Sequence, residues 1–218
     1  MSIVRTETGG YASTLLAESG AVEHRFGTAL GPPADGCLLL KQVHSARIVD
    51  AGQWREGVEA DGLTAAVAGI RLAVRTADCV PLLLCDPVRR AVAAVHAGWR
   101  GAAQQIAVQA VRALEQRYGS RPQDVLAALG PAIGGCCYEV GPEVAAQFQQ
   151  WFPERGDLGR RTRIDLRLAL ARQLAAAGLH PSRIDVAEAC TCCGGPEFHS
   201  WRRDGPRAGR MISFIALL

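Results

Sequence analysis

The stretch from Ile70 to Tyr118 constrains the fold more than any other part of the chain. Ile70 to Arg75 alternates and is rich in β-formers. Pro81-Leu-Leu-Leu-Cys85 is apolar throughout, and the turn Asp86-Pro87-Val-Arg-Arg90 leads into a second apolar run, Ala91 to His96. Two such runs across a tight turn predict a hairpin. Neither run shows the polar alternation of a half-solvated sheet, so both faces need a cover. The period then changes. Ile106, Val108, Val111 and Leu114 fall at helical intervals, which predicts one helix from Ala102 to Tyr118 stopped by Gly119.

The flanking sequence fills in the same pattern. Leu38 to Val43, Arg47 to Val49, Val125 to Leu129, Ile184 to Glu188 and Met211 to Leu217 read as strands. Asp61-Gly62 reads as a turn. Pro142 opens a helix running to about Trp151, and Asp165 caps a second over Leu166 to Ala177, with Gly178 at its end. Residues 1–20 are Gly-rich and weakly patterned. With no repeat, low-complexity tract or linker, residues 1–218 are expected to form a single α/β domain. Its expected form is an α+β layered sandwich of mixed β-sheets flanked by helices.

Composition narrows the classes of function. A hydrophobic share of 49% supports a real core, and a net charge of +3 is too small for a nucleic-acid footprint. The densest basic cluster, Arg160-Arg161-Thr-Arg163, reads as a solvated loop. The best membrane candidate, Val67 to Leu84, is interrupted by Arg71, Arg75 and Asp78, so no span is expected. The first residues lack a signal pattern. The expectation is a cytoplasmic protein, monomer or homodimer, with neither nucleic acid nor membrane as partner. In that compartment the eight cysteines are thiols or ligands rather than disulfides.

Chemistry concentrates where apolar runs meet turns. His44 ends Lys41-Gln-Val-His44, Cys79 lies in Thr76-Ala-Asp78-Cys79-Val-Pro81, and His96 closes the second hairpin run. Two imidazoles and a thiolate suit a zinc site with a fourth position open. Taken singly, each is also read as a hydrogen-bonded strand-end histidine or a buried thiol, so the zinc reading requires that the three converge. Asp78 is the candidate acid/base. Arg100, in Gly98-Trp99-Arg100-Gly101, opens the long helix, and a guanidinium at a helix start suits an anion. Arg47 and Arg202 are further candidate substrate or phosphate contacts, and Tyr138 a candidate nucleoside contact. Cys190-Thr-Cys192-Cys193 with His199, and Cys136-Cys137, read as free thiols rather than a second metal site.

Several long words of this chain stand together in one order. They are Lys41-Gln-Val-His44, Ala60-Asp61-Gly62-Leu63, Thr76-Ala-Asp78-Cys79-Val-Pro81, Val95-His96-Ala-Gly-Trp99-Arg100-Gly101, Gly130-Pro-Ala-Ile133, Cys137-Tyr138-Glu139-Val-Gly141, Phe198-His-Ser-Trp201-Arg202-Arg203-Asp204-Gly205 and Gly209-Arg210-Met211. From about Glu23 onward the chain thereby resembles the bacterial laccase-domain family. That family was once called multicopper polyphenol oxidases and is now described as purine nucleoside phosphorylases. The resemblance implies zinc on His44, Cys79 and His96. It implies phosphorolysis of adenosine, inosine, guanosine and methylthioadenosine with inorganic phosphate as co-substrate, and an adenosine deaminase side activity. It also implies a fold similar to a bacterial toxin deamidase domain, which raises the alternative of a cysteine hydrolase with Cys79 as nucleophile and His96 as base. A copper-dependent polyphenol oxidase is the other alternative. Five histidines and two methionines are few for several copper ions, so copper is expected only as an adventitious metal.

Overall fold

The computed structural model describes residues 2–7, 9–31 and 35–218. The chain opens with β1 (Ile3–Arg5), β2 (Tyr11–Ser13), α1 (Thr14–Glu18), β3 (Val22–Arg25), β4 (Cys37–Leu38) and β5 (Ile48–Asp50). Next come β6 (Gly62–Ala65), β7 (Arg71–Thr76), β8 (Val80–Asp86), β9 (Ala91–Ala97), α2 (Trp99–Ala103), α3 (Ile106–Tyr118) and β10 (Leu126–Leu129). The last third holds β11 (Glu139–Val140), α4 (Pro142–Ala145), β12 (Thr162–Arg163), α5 (Leu166–Ala176), β13 (Ile184–Val186), α6 (Trp201–Asp204) and β14 (Met211–Leu217).

The expected hairpin is the centre of the molecule. β8 and β9 pair antiparallel, Val80 opposite Ala97 through Asp86 opposite Ala91. They sit inside a mixed six-stranded sheet ordered β13-β10-β8-β9-β6-β5. Every residue of both strands is buried. Successive side chains point to opposite faces, so Leu82, Leu84, Ala93 and Val95 enter one core with α3 and α5. Leu83, Cys85, Val92 and Ala94 enter a second core. That second core is closed by Leu72, Val74, Ile215 and Leu217 from a four-stranded sheet ordered β3-β14-β7-β4. The architecture is helices on sheet on sheet, a mixed α/β sandwich. Among the described residues no helix is long and apolar enough to cross a membrane.

Several boundaries differ from expectation. The helix from Ala102 to Tyr118 is two helices. Trp99–Ala103 ends at a turn in which Gln105 takes a left-handed backbone (φ 60°, ψ 42°). The Ala102 carbonyl at this break accepts from Gln105 N at 3.0 Å and from the buried Gln173 of α5 at 2.7 Å, so a turn bond and a tertiary contact together hold the break. Leu38 to Val43 does not run as a strand; pairing stops after Leu38 apart from a bridge at Lys41. Gly62 is no turn residue but begins β6, where a Cβ would stand 2.3 Å from the Ile48 side chain. The segment after Pro142 makes only four α-helical residues before tightening into a 3-10 turn over Ala146–Phe148. The N-terminal twenty residues carry β1, β2 and α1, the last capped by Ser13. The α5 expectation holds, with the Asp165 side chain accepting from Arg167 N and Leu168 N.

Candidate functional site

The two central strands place the first pair of groups. His96 lies in β9 opposite Pro81, and Cys79 immediately precedes β8. Asp78 has φ 85°, so the chain turns sharply before the strand and both Asp78 and Cys79 reach the same cavity. A regular strand would have sent them to opposite faces.

His44 arrives from a loop shaped by one buried carboxylate. Asp61 accepts from the backbone N–H groups of Val43, His44 and Ser45 at 3.2, 3.0 and 2.6 Å, and from the Ser45 hydroxyl at 2.8 Å. These bonds stabilise the left-handed backbone of His44 (φ 60°), which a regular strand would not adopt. The same carboxylate lies 2.8 Å from His96 Nδ1. Burial pushes the Asp61 carboxyl up, and hydrogen bonds from His96 and Ser45 outweigh it, so its pKa falls below the usual value. One residue therefore orients two imidazoles. In sequence Asp61-Gly62 resembles a turn, and the signal of its role is an acidic residue leading into an apolar strand.

His44, Cys79 and His96 offer ligand atoms within 4.8 Å of one another. The two imidazole rings stand 4.9 Å apart, edge to face. Gly98 makes this approach possible, since a Cβ there would sit 2.7 Å from His44 Nδ1 and 3.1 Å from Cys79 Sγ. Burial raises the Cys79 thiol pKa, but hydrogen bonding to His44 and His96 more than offsets this and brings it down to about 6. The donor set fits zinc. A thiolate and two imidazoles converge, and a carboxylate holds His96 Nδ1 so that Nε2 is turned to the site, the usual arrangement behind a ligating histidine.

The site opens into a cavity of about 900 Å³. Asp78 is the only carboxylate among its described lining residues, against Lys41, Arg75, Arg100, Arg202 and Arg210. Asp78 accepts from the Thr191 hydroxyl at 2.6 Å, the Ser200 hydroxyl at 3.1 Å and Arg202 N at 2.6 Å. Arg100 stacks on Trp99, with its guanidinium carbon 4.4 Å from the ring centroid. Arg202 lies over Tyr138 at 5.3 Å, and Trp201 supplies a further aromatic face. Burial raises the Tyr138 hydroxyl pKa, so it remains a donor. Arg47 is not brought to the cavity lining; its guanidinium donates to the Glu59 carbonyl at 3.0 Å. Arg75 and Arg210, which sequence reasoning did not single out, take part instead. Their basic character alone did not distinguish them from surface arginines.

Residues 20–218 match the family model described as multi-copper polyphenol oxidoreductase laccase. A purine nucleoside phosphorylase of Deinococcus radiodurans is 40% identical over 201 residues, spanning 88% of this chain and 75% of that protein. A protein named adenosine deaminase RL5, from an unknown prokaryotic organism, is 34% identical over 85% of this chain and 77% of its own. The crystal structure of YlmD from Geobacillus stearothermophilus superposes with a TM-score of 0.88 at 29% identity, over 99% of this chain and 98% of that one.

Proposed function

This chain belongs to the multi-copper polyphenol oxidoreductase laccase family, and from that premise we propose that it is a purine nucleoside phosphorylase, with adenosine, inosine, guanosine and methylthioadenosine as substrates and adenosine deamination as a side activity. The observation that carries the reading is the cavity itself. It gathers the zinc-type donor set, a single carboxylate, several cations and three aromatic faces around one space.

Phosphorolysis requires phosphate against the anomeric carbon and a proton for the departing base. Arg100 and Arg202, supported by Arg75 and Arg210, hold the phosphate, since guanidinium forks match its oxygens. Trp99, Tyr138 and Trp201 offer faces to the purine. Asp78 has three of its roughly four lone-pair positions occupied. The remaining one takes the proton of hydrogen phosphate as its oxygen attacks the sugar, and returns it to N7 of the leaving purine. His44, Cys79 and His96 would hold zinc, which when bound supplies the Lewis acidity that removal of the adenosine amino group needs.

The Cys79–His96 pair also supports a second reading, a thiol hydrolase, because the depressed thiol pKa is what a nucleophile requires. Such a dyad has no use for His44 at the same point. The test is incubation with inosine, with and without phosphate. Ribose 1-phosphate and hypoxanthine, formed only with phosphate, are expected. Free ribose at a rate indifferent to phosphate would overturn the proposal. Phosphate-indifferent release of ribose that survives chelation and is lost on alkylation of Cys79 would establish the hydrolase.

A further inference from the structure

Four cysteines outside the cavity converge at one point. Cys136 and Cys137 lie on the loop before β11, and Cys190 and Cys193 lie on the loop after β13, more than fifty residues away. Their sulfurs lie within 4.8 Å of one another. Cys137 Sγ is 3.0 Å from Cys193 Sγ, Cys136 Sγ is 3.5 Å from Cys193 Sγ, and Cys136 and Cys137 are 3.8 Å apart. We propose that these residues bind a second zinc ion as a tetrathiolate site that clasps the two loops together.

Tetrahedral zinc with Zn–S bonds of about 2.3 Å separates its sulfurs by roughly 3.8 Å, the Cys136–Cys137 separation and inside the 4.8 Å that spans all four sulfurs. Four soft sulfur donors select zinc or an iron–sulfur centre. A cluster would hold the sulfurs further apart, because its own sulfides lie between them. Cys190 and Cys193 form a Cys-x-x-Cys knuckle, and the turn is closed by Gly194 N donating to Cys190 O at 2.8 Å. Gly134 N donates to Cys190 Sγ at 3.2 Å, an amide–thiolate bond that supports a metal-bound sulfur. His199, the ligand considered from sequence, instead packs against Gly209. The missing half of the site comes from Cys136-Cys137.

The surroundings suit the charge. Four thiolates on a divalent ion leave a net negative charge, and three arginines border the cluster. Arg167 is buried, and a Cβ on Gly134 would meet its Nη2 at 3.0 Å and Cys136 Sγ at 3.2 Å. Its Nε makes no hydrogen bond and lies 3.5 Å from Asp165 Oδ1. Arg202 donates to the carbonyl of Cys137 at 3.3 Å, and Arg203 to those of Thr191 and Cys192 at 3.1 and 3.2 Å. The clasp also has a consequence for the cavity. The Cys190 loop carries Thr191, which bonds Asp78, and the Cys136 loop leads directly into Tyr138.

The experiment is metal counting on the intact protein, purified under reducing conditions with zinc supplied and excess removed. The wild type should carry about two zinc ions per chain, as expected for two independent protein sites. His96→Ala should retain about one, and so should the double variant Cys190→Ser/Cys193→Ser. The His96→Ala result separates this proposal from the enzymatic one, because its remaining zinc cannot belong to the cavity. If the cysteine variant does not fold, cobalt substitution of His96→Ala provides the second readout, with sulfur-to-cobalt charge transfer and tetrahedral visible bands expected. A wild type whose zinc vanishes entirely with His96→Ala would overturn the proposal. So would disulfides joining these four cysteines in reduced, zinc-supplied protein.

Discussion

At the scale of single residues, two aspartates near the metal-type donors do different work. Asp61 is fully buried and faces no part of the cavity; it holds the His44 loop and His96 Nδ1. Asp78 faces the cavity and is held by Thr191, Ser200 and Arg202. The expected contrast is measurable. Asp61→Asn should lower zinc affinity about 10–100-fold, the usual cost of losing a histidine's outer partner. Asp78→Asn should leave zinc bound and reduce turnover about 10²–10⁴-fold, the usual contribution of an acid/base group. Zinc titration and phosphorolysis kinetics on both variants check this. Near-normal turnover in Asp78→Asn would remove it from the chemistry. Neither assignment followed from residue type, because an aspartate beside a strand is equally a turn, a hydrogen-bond acceptor or an acid.

At the scale of elements, the end of α3 is tied to the sheet edge by Tyr118. Its hydroxyl donates to Asp50 at the end of β5 and lies 3.1 Å from Thr64 Oγ1 in β6. Arg117 reinforces the tie, donating to Thr64 Oγ1 at 2.8 Å and to Ile48 O at 2.9 Å. Burial first, and the bond to Asp50 second, push the Tyr118 hydroxyl up to about 12. The folded state thus holds this proton more tightly than the unfolded chain, whose tyrosines titrate near about 10. The stabilisation is fully present below about pH 10 and is lost as pH rises through about 12. The urea midpoint of the wild type should therefore fall more steeply across that window than that of Tyr118→Phe. Cys85, which burial pushes to about 12, titrates in both proteins and cancels in the comparison. Parallel slopes would show that the tie carries no linked stability.

At the scale of the whole molecule, stability rests on two cores that share one sheet. The second core depends on β14, which is hydrogen-bonded to β3 on one side and β7 on the other. Met211, Ile215 and Leu217 are buried along it. Each such side chain contributes about 1.5–3 kcal/mol when fully buried. Losing all three with the strand's ladder approaches the about 5–15 kcal/mol of a typical domain. Deletion of residues 211–218 should abolish cooperative unfolding and leave little soluble protein, by near-ultraviolet circular dichroism and solubility. A cooperative transition in the truncated chain would show that the helix-side core folds alone.

The sequence by itself determined the covered hairpin, the β14 strand, the capped α5 helix, and Cys79 and His96 at the ends of the two central strands. Those features are local, written in a period of two or 3.6 residues and in the residues that stop it. It did not determine where α2 breaks, because the Gln105 turn is stabilised by Gln173 from α5. It also could not show that Asp61 organises both histidines, that Arg47 points elsewhere, or that Cys136-Cys137 meets Cys190 and Cys193. Each of these joins residues distant in sequence, and only the packing of the two sheets and the loops at their ends brings such groups within bonding distance.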